Sequence, residues 1–192
     1  MRSRIGRILR PLLKMTSALL KEPRVIYARE NRDKYLSRWY LFGNRPELDD
    51  HGNTRRESPE DIESMPSFNI FLHCFHRSDS DRALHCHPWQ DSFSIILSGG
   101  YLEERRVGDV VKRQLKLPFS INVLKGDDYH RVDLLEEDCW SIFFAGKRVS
   151  SWAFWDRDTG LIADWKEFLN ARTEGREPKW VRPKAIKLER VE

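Results

Sequence analysis

A chain of 192 residues is long enough for one domain with its own core and short for two full ones. Its 40% apolar and 11% aromatic content is too rich for wholesale disorder, and no run approaches the roughly 18 uninterrupted apolar residues of a membrane-spanning helix. Three cysteines, Cys74, Cys86 and Cys139, form no Cys-x-x-Cys pair; this argues against a disulfide framework or a zinc finger and for a reducing, cytoplasmic setting.

The net charge of +4 is unevenly placed. Residues 1–24 carry seven bases against Glu22 alone, a net +6, and residues 171–192 carry seven bases against four acids, which leaves the middle at −5. An acidic body with basic ends has no recognition face for a phosphate backbone, so no specific nucleic-acid partner is predicted.

Ile5, Ile8, Leu12, Met15 and Leu19 keep the three-and-four spacing of one helix face, interleaved with arginine and lysine. Because Pro11 interrupts the stretch, the spacing predicts a helix from Pro11 to about Lys21, with a short helical piece before it. Such a helix either lies on the body or serves as a basic amphipathic arm: a peripheral membrane contact through residues 1–24, a presequence or a partner-binding segment. The predicted organisation is a basic arm over 1–34, a body over 35–171 and an extended basic tail over 172–192.

The aromatic segment Tyr35 to Phe42 reads as a first strand, and Arg45 to Pro66, with three prolines and little to bury, as loop. Short β-rich runs follow at Phe68–Phe75, Ala83–His87, Ser92–Leu97, Tyr101–Arg106, Ser120–Leu124, His130–Leu135, Cys139–Ala145 and Ser151–Trp155. Their punctuation by Ser98-Gly99-Gly100 and Lys125-Gly126-Asp127-Asp128 predicts an antiparallel sandwich or barrel. Leu161, Trp165, Phe168 and Leu169 share one stripe of a predicted final helix over Leu161 to Ala171.

Histidines cluster at His73, His76, His85 and His87. Alternate side chains of a strand share a face, so His85, His87, Trp89 and Asp91 would all point one way if the strand continues, bringing two imidazoles and a carboxylate together. Gly126 then opens a turn that feeds His130 into a new strand, and a barrel returns that strand beside the earlier one. Cys86 falls on the opposite face. His73, in step with Phe71 and Phe75, reads first as a satisfied core histidine and second as a cavity wall. His51 and His76 read as solvated. Tyr101, Glu103 and Arg105 alternate on one strand and read first as the exposed face of a hairpin.

These residues resemble the two motifs of the cupin superfamily. His85-x-His87, Asp91 and Gly99-Gly100 match the first, and Gly126 and His130 the second, with Pro118 upstream. The stretch from Asp79 to Tyr101, with Trp152 to Trp155 and the helix near Trp165, is similar to a group of small metal-binding cupins of bacteria and their phages. The resemblance spans Trp39 to Ala171. It implies an all-β fold, a double-stranded β-helix or jelly-roll-like barrel, here with an N-terminal amphipathic helix and a C-terminal helix. It further implies a divalent metal held by His85, His87, Asp91 and His130, with Fe(II) the first choice and Zn, Mn or Ni as alternatives. His73, Trp89 and Tyr101 are the candidates for contacting a small-molecule substrate. Asp91 departs from the usual glutamate and, one methylene shorter, stands either as ligand or as a partner behind the ligands. The implied activity is a metal-dependent enzyme, foremost a dioxygenase; the alternative is a non-catalytic module recruited through the basic helix. Pairing of sheet edges implies a homodimer.

Overall fold

The computed structural model describes residues 4–28, 33–43 and 67–183. The predicted loop at 45–66, with His51, lies outside them, as do the Ile5 side chain and the tail beyond residue 183.

Among the described residues, twelve strands form two antiparallel sheets. The first has the order β1 (Arg24–Tyr27), β2 (Lys34–Phe42), β3 (Asn69–Phe75), β10 (Cys139–Ala145), β5 (Asp91–Ser98), β8 (Ile121–Lys125). The second runs β12 (Ile162–Asp164), β11 (Ala153–Trp155), β4 (Leu84–His85), β9 (His130–Leu134), β6 (Tyr101–Val107), β7 (Val110–Lys116). The pairings are nested: β3 with β10, β4 with β9, β5 with β8 and β6 with β7. A single antiparallel ribbon of four strand pairs, rolled so that alternate pairs fall in opposite sheets, is the jelly-roll connection. Local turn chemistry fits: Gly99 holds φ 78, and a Cβ there would meet the Asp138 carbonyl oxygen at 2.2 Å, so only glycine fits the corner between β5 and β6.

Pleating sorts the side chains. In β5, Ser92, Ser94, Ile96 and Ser98 are buried while Asp91 and Phe93 are exposed; in β8, Asn122 and Leu124 are buried while Ile121 and Val123 face out. The middle of β3 is buried on both faces, because the helix α1 (Arg4–Ser17) covers its outer side. There Leu13 packs on Trp39, Leu72, Cys74 and Trp140, and the indoles of Trp39 and Trp140 stack at 5.6 Å.

The helix departs from expectation in extent and in face. It runs through Pro11, whose missing N–H and bulky ring fall on the exposed side, and it ends at Ser17, ahead of Pro23. Its body-facing side carries Arg10, Leu13 and Ser17. Arg10 pairs with Asp138 at 2.8 Å and with Glu136, and Lys14 lies 3.5 Å from Asp138. The apolar stripe lies on the other side, with Ile8 68%, Leu12 49%, Met15 62% and Leu19 84% exposed.

Two strands escape the sequence pattern. β1 is four residues long, and β7 reads Val-Val-Lys-Arg-Gln-Leu-Lys with mostly exposed positions, so neither shows apolar alternation. At the other end, Ile162 to Asp164 joins β11 as a strand, which delays the final helix, α2 (Trp165–Thr173), by four residues. Asp164 caps it, its carboxylate accepting from the Lys166 N–H at 2.8 Å. Phe168 stacks on Phe154 at 3.8 Å and Trp165 on Trp152 at 5.5 Å. The tail stays attached as far as Val181, which bridges to Ile162, beside Trp180 packed edge-on against Phe168.

Candidate metal centre

β4 is only two residues long, and its second residue, His85, lies directly opposite His130 of β9. Opposed residues of an antiparallel pair share a face, so the two imidazoles meet inside the roll. His87 follows after the chain leaves the strand. It is held in place by Cys86 N–H donating to Ala153 O on one side and Val149 N–H donating to Pro88 O on the other. The turn at Gly126 packs so closely beneath this segment that a Cβ there would meet Trp89 O at 2.7 Å. Both motif segments are thereby fixed to each other before any ligand is considered.

The three imidazoles form a nearly equilateral triangle with ring centroids 5.3, 5.0 and 5.0 Å apart. One nitrogen from each lies within 4.8 Å of the others, and His87 Nε2 is 2.9 Å from His130 Nε2. Two nitrogens bound at about 2.1 Å to one ion and at right angles to each other sit about 3.0 Å apart, so this spacing fits a shared divalent ion. Burial, opposed by Asp79 and reinforced by His130 and Arg131, pushes His85 down to about 4. Burial and the neighbouring His130, His85 and Arg38 push His87 well below the usual histidine range. Both are neutral imidazoles at pH 7, the protonation state a metal requires.

Behind the triangle stands a carboxylate that sequence reasoning assigned to a solvated hairpin face. Glu103 on β6 has no exposed surface, and its Oε1 lies 2.9 Å from His130 Nδ1. Burial alone would raise this carboxyl, but hydrogen bonds from His130, Asn122 and Arg105 outweigh it and hold Glu103 at about 2. An ionised Glu103 only accepts, so His130 carries a proton on Nδ1, which leaves Nε2 as the nitrogen that turns toward the other histidines. Arg105 donates to both carboxylate oxygens at 3.0 Å, and Asn122 Nδ2 donates at 2.8 Å. The alternation of Tyr101, Glu103 and Arg105 was the visible signal. Its inward orientation was hidden because β7, on the far side of β6, did not stand out as a strand.

The other predicted site residues separate. Trp89 stacks on His87 at 5.6 Å and packs against Phe143, so it walls the triangle. His73 is buried inside the roll, stacked on Phe143 at 5.1 Å and accepting from Arg38 Nε at 2.9 Å. Tyr101 is buried among Ile96, Val132 and Cys139, and its hydroxyl accepts from Asn122 Nδ2 at 3.1 Å. It therefore stands three hydrogen bonds behind His130, through Asn122 and Glu103, and does not line a substrate space. Asp91 is the clear departure: it is exposed on the outer face of the first sheet, beside Phe93, Phe144 and Phe68. The chain leaves β4 after His85 and re-enters a different sheet at Asp91, so the parity argument lapses at Pro88. Cys86 lies where the pleat puts it, buried with Leu84 and Tyr129 on the opposite side. His76 is half-buried, its Nε2 2.8 Å from Ser37 Oγ.

No family model and no curated protein matches this sequence. Among solved structures it is similar to KdgF from Halomonas sp., at 16% identity over 59% of this chain and 81% of that chain, with a TM-score of 0.40. A second is hydroxypropylphosphonic acid epoxidase from S. wedmorenis, at 14% identity over 66% of this chain and 58% of that chain, TM-score 0.41. A third is a sugar phosphate isomerase of the cupin superfamily from Silicibacter pomeroyi, at 13% identity over 82% and 83%, TM-score 0.41. The nested strand pairing gives the chain a double-stranded β-helix, or jelly-roll, fold.

Proposed function

We propose that His85, His87 and His130 hold a divalent metal ion, Fe(II) foremost, and that the chain is a metal-dependent enzyme acting on a small molecule, with dioxygenase chemistry the leading reaction. The observation that carries this reading is the triangle of three imidazoles within 4.8 Å, backed by the buried Glu103. When bound, such an ion supplies Lewis-acid polarisation and, as iron, activation of dioxygen. The protein's own share is positional. Glu103 fixes the His130 tautomer, Trp89 and Phe143 wall the triangle, and the partly exposed His85, His87 and Trp89 leave a face open to a small molecule. Elemental analysis of the purified protein beside a His85→Ala, His87→Ala double variant, followed by an oxygen-uptake screen of the iron-loaded protein, tests it. Stoichiometric metal lost in the variant supports the reading; equal metal content in both overturns it.

A second reading, a non-catalytic module recruited to an anionic membrane or a partner through α1, draws on the exposed stripe of Ile8, Leu12, Met15 and Leu19. Serine at these four positions separates the two: an enzyme keeps its turnover, and a recruited module loses its location.

A further inference from the structure

Arg38 on β2 points into the roll and lacks a carboxylate partner among the described residues. Its Nε donates to His73 Nε2 at 2.9 Å, its guanidinium lies 4.7 Å over the Phe71 ring and 5.9 Å over Trp89, and Tyr40 is its other hydrogen-bonding neighbour. Across the β1–β2 ladder it stands directly opposite Arg24, and like charges facing each other on one sheet face are unfavourable. Burial and the Arg24 charge both work against the guanidinium's own charge. A largely desolvated cation is costly to leave unpaired, and the described residues offer Arg38 no carboxylate.

The surroundings say where that anion would sit. Trp89 is shared: His87 stacks on its ring at 5.6 Å and Arg38 lies over it at 5.9 Å, so the guanidinium and the triangle of histidines are neighbours of one indole. His73 aims the fork. Since its Nε2 accepts from Arg38, its proton sits on Nδ1, a buried nitrogen with no hydrogen-bond partner among the described residues. Burial and Arg38 push His73 well below the ordinary histidine range, so it adds no competing charge. With Nε committed to His73, the terminal nitrogens form the pair that matches a planar carboxylate bidentately.

We propose that Arg38 is the subsite for a carboxylate group on the molecule that binds at the three histidines, with His73 as its positioning residue; the assignment rests on the metal-site reading above. The substrate class is thus a small organic acid, its acid end on Arg38 and its reacting end at His85, His87 and His130.

The test uses the full-length, metal-loaded protein, with succinate as probe, succinamide as the uncharged control and inorganic phosphate as a competing oxyanion. The Arg38 Nε–H is held against His73, which slows its exchange with water. It therefore gives a side-chain resonance identifiable by its loss in Arg38→Gln. Succinate is expected to shift this resonance saturably and to raise the thermal midpoint, while succinamide does neither. Arg38→Gln is expected to bind succinate about tenfold or more weakly at unchanged metal content. His73→Phe keeps the ring stack but removes the acceptor, and should weaken succinate severalfold, again with metal retained. If Arg38→Gln does not fold, Arg38→Lys, which keeps the charge and loses the fork, is expected to fold and to show the weakening. Equal succinate affinity in wild type and the folded Arg38 variant overturns the proposal, since the carboxylate then binds elsewhere, including at the ion. An equal response to succinamide, or saturation by phosphate alone, overturns it as well. A wild-type protein that holds no metal yet still shifts the Arg38 resonance with succinate keeps the subsite and overturns the metal reading instead.

Discussion

His130 Nδ1 lies 2.9 Å from Glu103 Oε1, and that carboxylate has no exposed surface. The bond decides which His130 nitrogen faces His85 and His87, so Glu103 would govern a metal ion held there without touching it. Glu103→Gln keeps the shape and removes the charge, and is expected to weaken metal binding about tenfold; Glu103→Ala should approach about 100-fold. Competition against a chelating dye measures both. The alanine variant also strands Arg105 and Asn122 and should cost about 3–5 kcal/mol of stability in urea unfolding. Wild-type metal affinity in both variants would remove Glu103 from the support of the site.

The His-x-His pair and the glycine turn before His130 were legible because both signals are local: parity on a strand and punctuation before one. The jelly roll was legible only as many short strands, since the nesting that pairs β3 with β10 depends on contacts about 70 residues apart. Glu103 and Asp91 mark two separate limits of strand parity. Parity assigns a face only while a strand continues, and it cannot say which face is inside. Asp91 fell past the break at Pro88, and Glu103 sat on an intact strand whose inner face was read as outer. The α1 stripe failed differently: ion pairs from Arg10 to Glu136 and Asp138 turn the helix's basic side toward the acidic body, and spacing alone carries no information about those partners.

Glu104 supplies a pH dependence of its own, on the face of β6 opposite Glu103. It is 2% exposed and surrounded by Arg157, Arg113 and Arg131. Burial raises its carboxyl, and the hydrogen bonds from Arg157, Arg113 and Arg131 overcome this to hold it at about 2, against an ordinary value of 4.5. The folded-state value is depressed, so the unfolded chain binds more protons between these two pH values and stability rises with pH there. The contribution, on the order of 3 kcal/mol, is complete above about pH 5 and drains away as the pH falls toward 2. Urea unfolding of wild type and Glu104→Gln should differ by that order at pH 7 and converge near pH 2.5. A difference independent of pH would show that the cluster acts through packing.

Phe168 is 2% exposed and stacks on Phe154 at 3.8 Å, so this ring pair ties α2 to β11 beside the Trp165–Trp152 stack, with Trp180 closing its edge. Phe168→Ala removes a buried ring from a contact that the short β11 and β12 strands cannot collapse to fill. The expected cost is about 3–5 kcal/mol. Because Phe154 is paired opposite His85, the same variant should also loosen the triangle and weaken metal binding by a few-fold. Destabilisation without any change in metal affinity would show that β4 is positioned by β9 alone.

The two faces of α1 make opposite predictions from similar residues. Leu13 packs on the Trp39–Trp140 pair, whereas Leu12, one residue earlier, is 49% exposed. Leu13→Ala is expected to cost about 2 kcal/mol and to change the fluorescence of the stacked indoles. Leu12→Ala and Met15→Ala should each stay within about 0.5 kcal/mol of wild type. Asp138→Asn removes one partner of Arg10, leaving Glu136, and weakens the contact with Lys14; its cost relative to wild type should be largest at low salt and shrink as salt is raised, because the lost attraction is the part that salt screens. Had the helix docked by its apolar stripe, the order would invert, with Leu12→Ala costly and Leu13→Ala silent; a urea series on these four variants distinguishes the two orientations directly.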